Sequence, residues 1–101
     1  MKIYGKTDEI VVREMVGSDC EKLLELMTEH GKNEDFTVRD IEVLWEFRKQ
    51  KGDIQCTVTS ADGDIIYGFG GIIHSKLGVD LFKAYDEYTE QASEIITSCH
   101  G

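Results

Sequence analysis

The sequence has 101 residues, a length that supports one hydrophobic core and therefore predicts a single domain over 1–101. Twenty acidic against eleven basic residues give a net charge of −9. That balance argues against direct binding to nucleic acid, which requires lysine and arginine to neutralise phosphates. No run approaches the roughly 20 apolar residues that a membrane span requires, and "MKIYGKTDEI" lacks the apolar core of a signal peptide, so a cytoplasmic location is expected.

The N-terminal part predicts a tail, a strand and a helix. Residues 1–7 are expected to be a flexible tail, and "DEIVVREM", residues 8–15, predicts a largely buried strand because it is rich in β-branched residues. In "GSDCEKLLELMTEHG", Ser18 and Glu21 have the spacing of a capping box, and Gly31 suits the position after the helix. The apolar stripe of this helix is expected to comprise Cys20, Leu23, Leu24 and Met27.

A second helix is predicted from Thr37 to Gly52. Asp40 follows Thr37 by three places and can complete a weaker capping box. The inward face is expected to comprise Val38, Ile41, Leu44 and Trp45. The basic cluster near its end complements the negative end of the helix dipole or, alternatively, binds an anion; it comprises Arg48, Lys49 and Lys51.

An antiparallel hairpin is predicted next. "DIQCTVTS" alternates apolar and polar residues, which indicates a half-buried strand, and "ADGD" at 61–64 is typical of a tight turn. The partner strand runs from Ile65 towards His74 and contains Gly68, Gly70 and Gly71. These glycines do not predict a phosphate loop, because the residues after them continue as strand rather than opening a helix. They indicate a bent strand with a bulge or the close approach of another backbone.

The last helix is predicted over residues 78–100, since apolar residues recur there at steps of three and four: Leu81, Tyr85, Tyr88, Ala92, Ile95 and Cys99. The resulting order is β-α-α-β-β-α. We therefore expect an α+β fold with a small, mainly antiparallel sheet, two helices on one side and the acidic C-terminal helix packed against it.

Two segments resemble the N-terminal half of the GCN5-related N-acetyltransferase fold, over roughly residues 8–75. "VVREMVGSDCEKLLELM" places Val12, Arg13 and Asp19 where that family has its first strand and helix. "CTVTSADGDIIYGFGGII" is similar to its second and third strands through a set of six residues: Asp62, Gly63, Ile65, Ile66, Gly68 and Phe69. The family holds acetyl-CoA after a fourth strand, in a loop of the form R/Q-x-x-G-x-G/A, whereas "HSKLGVDLF" has no such pattern and is expected to lead directly into the last helix. The resemblance therefore implies a degenerate half-fold without cofactor residues.

No catalytic or metal site is predicted. The three cysteines have no C-x-x-C spacing, so Cys20 and Cys56 are expected to be reduced, buried thiols, while Cys99 near the end could be exposed. His30 is expected to cap a helix rather than to act in catalysis, and His74 has no placed partner in the sequence. Neither cofactor nor metal is expected.

The expected function is therefore non-enzymatic: a small acidic protein that binds and modulates a protein with a basic surface, a phage-encoded inhibitor of a host nucleic-acid-binding complex being one concrete form. The residues expected to bind the partner combine aromatic and acidic side chains around the last helix: Phe82, Tyr85, Asp86, Glu87, Glu90 and Glu94.

Two alternatives stay open. In one, a homodimer completes an acyl-CoA site with His74 as base and with phosphates held by Arg48, Lys49 and Lys51. In the other, the protein is structural and self-associates through the edge of its hairpin, with Gly70 and Gly71 expected near that edge.

Overall fold

Five antiparallel strands form one sheet in which the spatial order, β1-β2-β3-β4-β5, follows the chain order. The computed structural model describes residues 1–30, 35, 37–73, 76–81 and 86–100. Three helices complete the predicted α+β fold. The elements are β1 Ile3–Lys6, β2 Ile10–Glu14, α1 Asp19–Glu29, α2 Val38–Gln50, β3 Ile54–Ser60, β4 Ile66–Ile73, β5 Lys76–Leu81 and α3 Asp86–His100.

The sheet lies between two helical layers. Helix α3 packs on one face, where Ala92 and Ile96 contact a cluster of buried strand residues: Ile10, Val12, Cys56, Val58 and Ile72. Helices α1 and α2 build a second core with Phe69 on the other face. The layer arrangement expected from the sequence is thus confirmed.

Strand β3 is buried on both faces, so the expectation of a half-buried strand was wrong. Thr57 is 0% exposed and Thr59 1% exposed, although the alternating pattern had assigned both to a solvated face. Threonine is a good strand former, and its hydroxyl can be buried when it makes a hydrogen bond within the protein. The Thr57 hydroxyl donates to Asp19 and that of Thr59 to the Ser60 carbonyl.

The expected tail at residues 1–7 contains strand β1, which corrects the sequence prediction. Residues 3–6 pair with β2, with Ile3 opposite Arg13 and Lys6 opposite Val11. The segment is too short for periodicity to show, and its pairing partner supplies the hydrogen bonds that fix it as a strand.

Strand β5 corrects the predicted start of the last helix. Residues 76–81 pair with β4, Leu81 lying opposite Gly68 and Lys76 opposite Ile73, and α3 begins only at Asp86. The predicted helical stripe therefore loses Leu81 to the strand, while Ile96, which that stripe omitted, is 0% exposed. The added strand also means that Gly70 and Gly71 lie inside the sheet rather than at its edge.

The predicted capping box is present at the start of α2 but not at the start of α1. At α2 both halves of the predicted capping box are present, since the Asp40 amide donates to Thr37 Oγ1 at 3.2 Å and the Thr37 amide donates to the Asp40 carboxylate at 2.8 Å. At α1 the predicted box is wrong, because Ser18 has helical backbone angles and makes no side-chain cap hydrogen bond. Asp19, the first residue of α1, instead accepts a hydrogen bond from the Val16 amide, three residues before it, at 3.0 Å.

The other predicted helix details are mixed. His30 is the C-cap of α1, as expected, whereas Gly31 lies outside the described residues. In α2, Ile41 is buried, but Leu44 is 43% exposed and does not belong to the inward face that the sequence predicted.

The glycine-rich stretch is a strand, as predicted. The register shifts between the pairs Val58–Gly68 and Thr59–Ile66, which leaves Tyr67 as an extra residue in β4. A Cβ on Gly70 would lie 2.9 Å from the Gly78 carbonyl oxygen. The bulge and the close backbone approach are therefore both present.

Candidate functional site

The acidic residues expected to bind a partner lie on the outward side of α3. Asp86, Glu87, Glu90 and Glu94 are all exposed, while Ala92 and Ile96 on the opposite side are fully buried. The structure therefore brings these four predicted residues together on one solvent-facing surface. Phe82 and Tyr85, the two aromatic residues of the same prediction, lie outside the described residues.

Two turns extend this acidic surface. Because Ile10 pairs with Ser60, the β1–β2 turn and the β3–β4 turn lie at the same end of the sheet. Both carry exposed carboxylates, and the α3 residue Gln91 contacts the first turn through Thr7 and Glu9. We call this set the acidic surface; it comprises Asp8, Glu9, Asp62, Asp64, Asp86, Glu87, Glu90 and Glu94.

Polar and aromatic contacts hold the acidic surface in place. The Thr7 hydroxyl donates to Gln91 Oε1 at 2.7 Å, and Gln91 Nε2 donates to Glu9 at 3.3 Å. Tyr88 stacks on Tyr67 with ring centroids 5.4 Å apart. Two effects contribute most to raising the pKa of Tyr88: the larger is its hydrogen bond with Glu9, and the smaller is desolvation by burial. Tyr88 therefore serves to attach the helix to the sheet and is only half-buried.

The tip of the β3–β4 turn is ordered by its own residues. Ser60 Oγ donates to Asp62 at 2.6 Å, and the Asp64 amide donates to the same carboxylate at 3.0 Å. These two hydrogen bonds, first the one from Ser60 and then the one from the Asp64 amide, lower the pKa of Asp62. Gly63 supplies the positive φ of 82° that the turn needs.

A groove of about 710 Å³ lies at the other end of the molecule, over β4 and β5. Its floor is backbone at Gly70, Gly71 and Gly78, and two basic side chains line it, Arg48 from the end of α2 and Lys76 from the start of β5. The remaining lining is mostly apolar: Met15, Leu23, Ile54, Gln55, Phe69, Leu77 and Val79. Lys76 was not among the predicted site residues; it is 28 positions from Arg48 in the chain and reaches the groove only because β5 pairs with β4.

The predicted basic cluster does not act as one group. Lys49 lies 4.4 Å from the centre of the Trp45 ring and 3.9 Å from Glu46, while Lys51 lies over Phe47 at 5.4 Å. Arg48 alone of the three lines the groove. Its guanidinium makes no ion pair or hydrogen bond with another described residue.

The three cysteines form no disulfide. Cys20 and Cys56 are buried and free, as predicted, and Cys99 is free and exposed. Burial raises the pKa of Cys56 to about 12, so this thiol is protonated at neutral pH and unreactive as a nucleophile. Within the described part of the chain, no group of three or more potential ligands could hold a metal ion. His74, the candidate base, lies outside that part.

One buried ionic group serves the fold. Both Arg13 guanidinium nitrogens donate to Asp19, at 2.7 and 3.0 Å, and the Thr57 hydroxyl donates to the same carboxylate at 2.8 Å. This network joins β2, β3 and the start of α1. Asp19 is only 4% exposed, and both of its carboxylate oxygens accept hydrogen bonds from other residues of the protein.

None of the described helices combines the length and the apolar character needed to cross a membrane. Comparison of the chain with protein-family models, with curated proteins and with solved structures found no match.

Proposed function

We propose that this is a non-enzymatic, cytoplasmic protein that binds and modulates a protein with a basic surface, and that the acidic surface makes the contact. The observation that carries the proposal is the collection of exposed carboxylates from three separate segments at one end of the sheet. None of them forms an ion pair with another residue that the structure describes. Three cysteines without a disulfide agree with a reducing compartment.

The electrostatic repulsion within the acidic surface supports a functional role for it, because the fold maintains the surface despite that unfavourable free energy. Like charges held close together repel one another, and a net charge of −9 already opposes compaction. Hydrogen bonds through Gln91 and a stacked tyrosine pair nevertheless fix the helix against the turn. A fixed field of one sign accelerates association with a partner of opposite sign and disfavours partners of like sign.

One concrete form of the proposal is a phage-encoded inhibitor of a host nucleic-acid-binding complex. The basic groove of such a complex is shaped to neutralise phosphates, and a surface of ordered carboxylates presents similar charge without being nucleic acid. Phe82 and Tyr85, which precede α3 in the sequence, would add aromatic contacts. Partner capture and displacement of nucleic acid would then be one event.

Charge reversal on α3 tests the proposal. The triple variant Glu87→Lys, Glu90→Lys and Glu94→Lys is expected to lose partner capture from cells of the source organism, because three exposed positions of the acidic surface change sign. The captured protein, purified, should release duplex DNA when wild-type protein is added but not when the triple variant is added. Capture should weaken as salt is raised, since the contact is made by exposed charges.

The control is a matched reversal on α1. Glu21, Glu25 and Glu29 are also exposed and spaced along a helix, so changing all three to lysine produces the same change in net charge away from the acidic surface. That variant should capture the partner as the wild type does. Equal loss in both triples, or unchanged capture by the α3 triple, would contradict the proposal.

A second candidate is an acyl-CoA-binding protein or enzyme that completes its site by dimerisation. Strand β5 favours it, because a fourth strand after the hairpin is what the acetyltransferase resemblance requires and the sequence alone had suggested its absence. Under this candidate, millimolar acetyl-CoA should raise the melting temperature by mass action on the folded state, and a sizing column should show a dimer. An unchanged melting temperature at that concentration would remove the candidate.

A further inference from the structure

The groove over β4 and β5 has the makeup of a small-molecule site. Its volume of about 710 Å³ falls in the usual range for ligand pockets, roughly 300–1,000 Å³. Such pockets are mostly apolar with a few polar groups that orient the ligand. Apolar side chains and glycine backbone form most of this lining, and Gln55, Arg48 and Lys76 are its polar members.

The charge of the groove is opposite to that of the protein. The chain has 20 acidic residues, yet no carboxylate is among the described residues that line the groove, whereas two cations are. Neither Arg48 nor Lys76 has an ion-pair partner among the described residues. Two uncompensated cations beside an apolar surface complement a ligand with an anionic head and an apolar body.

The floor of the groove has no side chains at two paired positions. Gly71 and Gly78 lie opposite each other in neighbouring strands, and both contribute backbone rather than side chains to the lining. A Cβ placed on Gly78 would meet no atom within 4 Å. No steric reason therefore requires glycine at this position in the free protein, and the space above it is open.

We propose that this groove binds a medium-chain alkyl carboxylate, with the head at Arg48 and Lys76 and the chain along the glycine floor. The planar guanidinium fork matches a carboxylate with two parallel hydrogen bonds, and the lysine adds a second positive charge. A slender unbranched chain is the apolar body that suits a floor without side chains. The chain gains free energy by leaving water for the apolar side chains of Met15, Leu23 and Phe69, which line the groove and belong to one core cluster.

This inference is independent of the proposed protein contact. Lys76 lies opposite Ile73 at the far end of β4, whereas the acidic surface borders the turns that adjoin Ile10 and Ser60. The Glu87→Lys, Glu90→Lys and Glu94→Lys triple should therefore bind the alkyl carboxylate as the wild type does. An experiment that contradicts one of the two proposals therefore does not contradict the other.

The test uses decanoate below its micelle concentration, followed by calorimetry and by the backbone amide signals of the glycines. One saturable site is expected, with shifts at Gly70, Gly71 and Gly78 and none at Gly63, which lies in the turn at the other end of the sheet. Decan-1-ol, with the same chain and no charge, should bind at least about tenfold more weakly because the charged hydrogen bonds are lost. Acetate, which has the head without the chain, should not saturate the site at the same concentrations.

Four variants locate the site. Arg48→Gln should weaken decanoate binding about tenfold or more, while Lys49→Gln, at the neighbouring exposed position outside the groove, should leave it unchanged. Gly78→Val should abolish binding with little change in melting temperature, because it fills open space in a strand. Lys76→Gln provides a second removal of charge should Arg48→Gln fail to fold.

Several results would overturn the inference: equal binding of decanoate and decan-1-ol, non-saturable binding, unchanged affinity after both charge removals, or shifts that spare the three floor glycines. An extended acidic peptide that shifts those signals when decanoate does not would also overturn it, in favour of strand addition at the β5 edge.

Discussion

Replacing Asp19 by alanine is expected to lower the free energy of unfolding by about 3–5 kcal/mol, the range for removing one partner of a buried ion pair. Arg13, whose side chain is 16% exposed, would lose both hydrogen bonds to the carboxylate. The buried Thr57 hydroxyl and the Val16 amide would lose their acceptor as well. Urea denaturation of the two proteins measures the difference.

The same carboxylate predicts a dependence of stability on pH. Burial acts to raise the pKa of Asp19, but hydrogen bonds from Arg13, Val16 and Thr57 together with the Arg13 charge outweigh it and lower the pKa. A depressed pKa in the folded state stabilises the fold above the unfolded pKa, near 4 for aspartate. The stability difference between the wild type and Asp19→Ala should therefore be full at neutral pH and shrink as the pH falls below about 4.

Glu21 provides the matched control for Asp19. It lies in the same first turn of α1 and is exposed, so Glu21→Ala should cost less than about 1 kcal/mol, the usual value of an acidic residue near a helix start. In a double-mutant cycle, the combined Arg13→Ala and Asp19→Ala variant should lose less stability than the two single losses added together. An Asp19→Ala protein as stable as the wild type, or additive losses in the cycle, would contradict the structural role given to this pair.

Gly71→Ala is expected to lower the free energy of unfolding by about 2 kcal/mol or more, as for an overpacked interior site. The added Cβ would collide with the carbonyl oxygen of Ile54 and lie 3.2 Å from the Cα of Gln55. Both atoms belong to the backbone of β3, which cannot move aside as a flexible side chain can. Strand β3 would have to separate from β4 at the centre of the sheet, and denaturant unfolding would show the loss.

Gly78→Ala is the internal comparison, because Gly78 lies directly opposite Gly71 in the β4–β5 ladder. Its added Cβ meets nothing within 4 Å, so the change in stability should stay within about 0.5 kcal/mol, as for ordinary surface substitutions. The two substitutions are chemically identical and occupy one register pair. Similar losses at both positions would mean that loss of glycine as such, and not the β3 backbone, sets the cost.

The acidic surface and the groove lie at opposite ends of the sheet, so the chain presents two kinds of contact without overlap. The first collects eight exposed carboxylates from three segments, and the second collects two cations beside apolar side chains. Charge alone separates what each can accept. Under the two proposals, a basic protein would contact the first and a small amphiphilic anion the second.

The part of the fold that sequence analysis predicted correctly depends on neighbours in the chain. The α2 capping box joins Thr37 to Asp40, and the β3–β4 turn needs a positive φ at Gly63. The pattern that identified β3 as a strand likewise spans only a few residues, although the half-burial that it also predicted was wrong. Each of these signals is complete within one segment, so no knowledge of the rest of the fold was needed to interpret it.

The sequence-based predictions were wrong where contact with a segment distant in the chain determines the secondary structure or the burial of a residue. Leu81 continues the spacing of Tyr88 and Ala92 as a helical residue would, yet pairing with Gly68 places it in β5. Residues 3–6 have no pattern of their own and become a strand by pairing with β2. Thr57 and Thr59 have a polar alternation that predicts a solvated face, but α1 and α2 cover that face.

The candidate sites likewise contain some residues that local spacing in the sequence predicts and others that only the tertiary structure brings together. Asp86, Glu87, Glu90 and Glu94 could be grouped from the sequence, because helical spacing alone puts them near one another. Joining them to Asp8, Glu9, Asp62 and Asp64 required the pairing of β2 with β3. Arg48 could not be separated from Lys49 and Lys51 by sequence, since the difference lies in which ring or groove each side chain meets.

The amino-acid order by itself therefore determined the charge, the α+β character, the hairpin and the acidic helix, because composition, periodicity and turn chemistry act locally. Tertiary structure alone decided that the sheet has five strands, that the threonines of β3 are buried, and that Arg48 and Lys76 line one groove with a glycine floor. The physical reason is that a strand is stabilised by hydrogen bonds to another segment, and a groove by surfaces that are far apart in the chain.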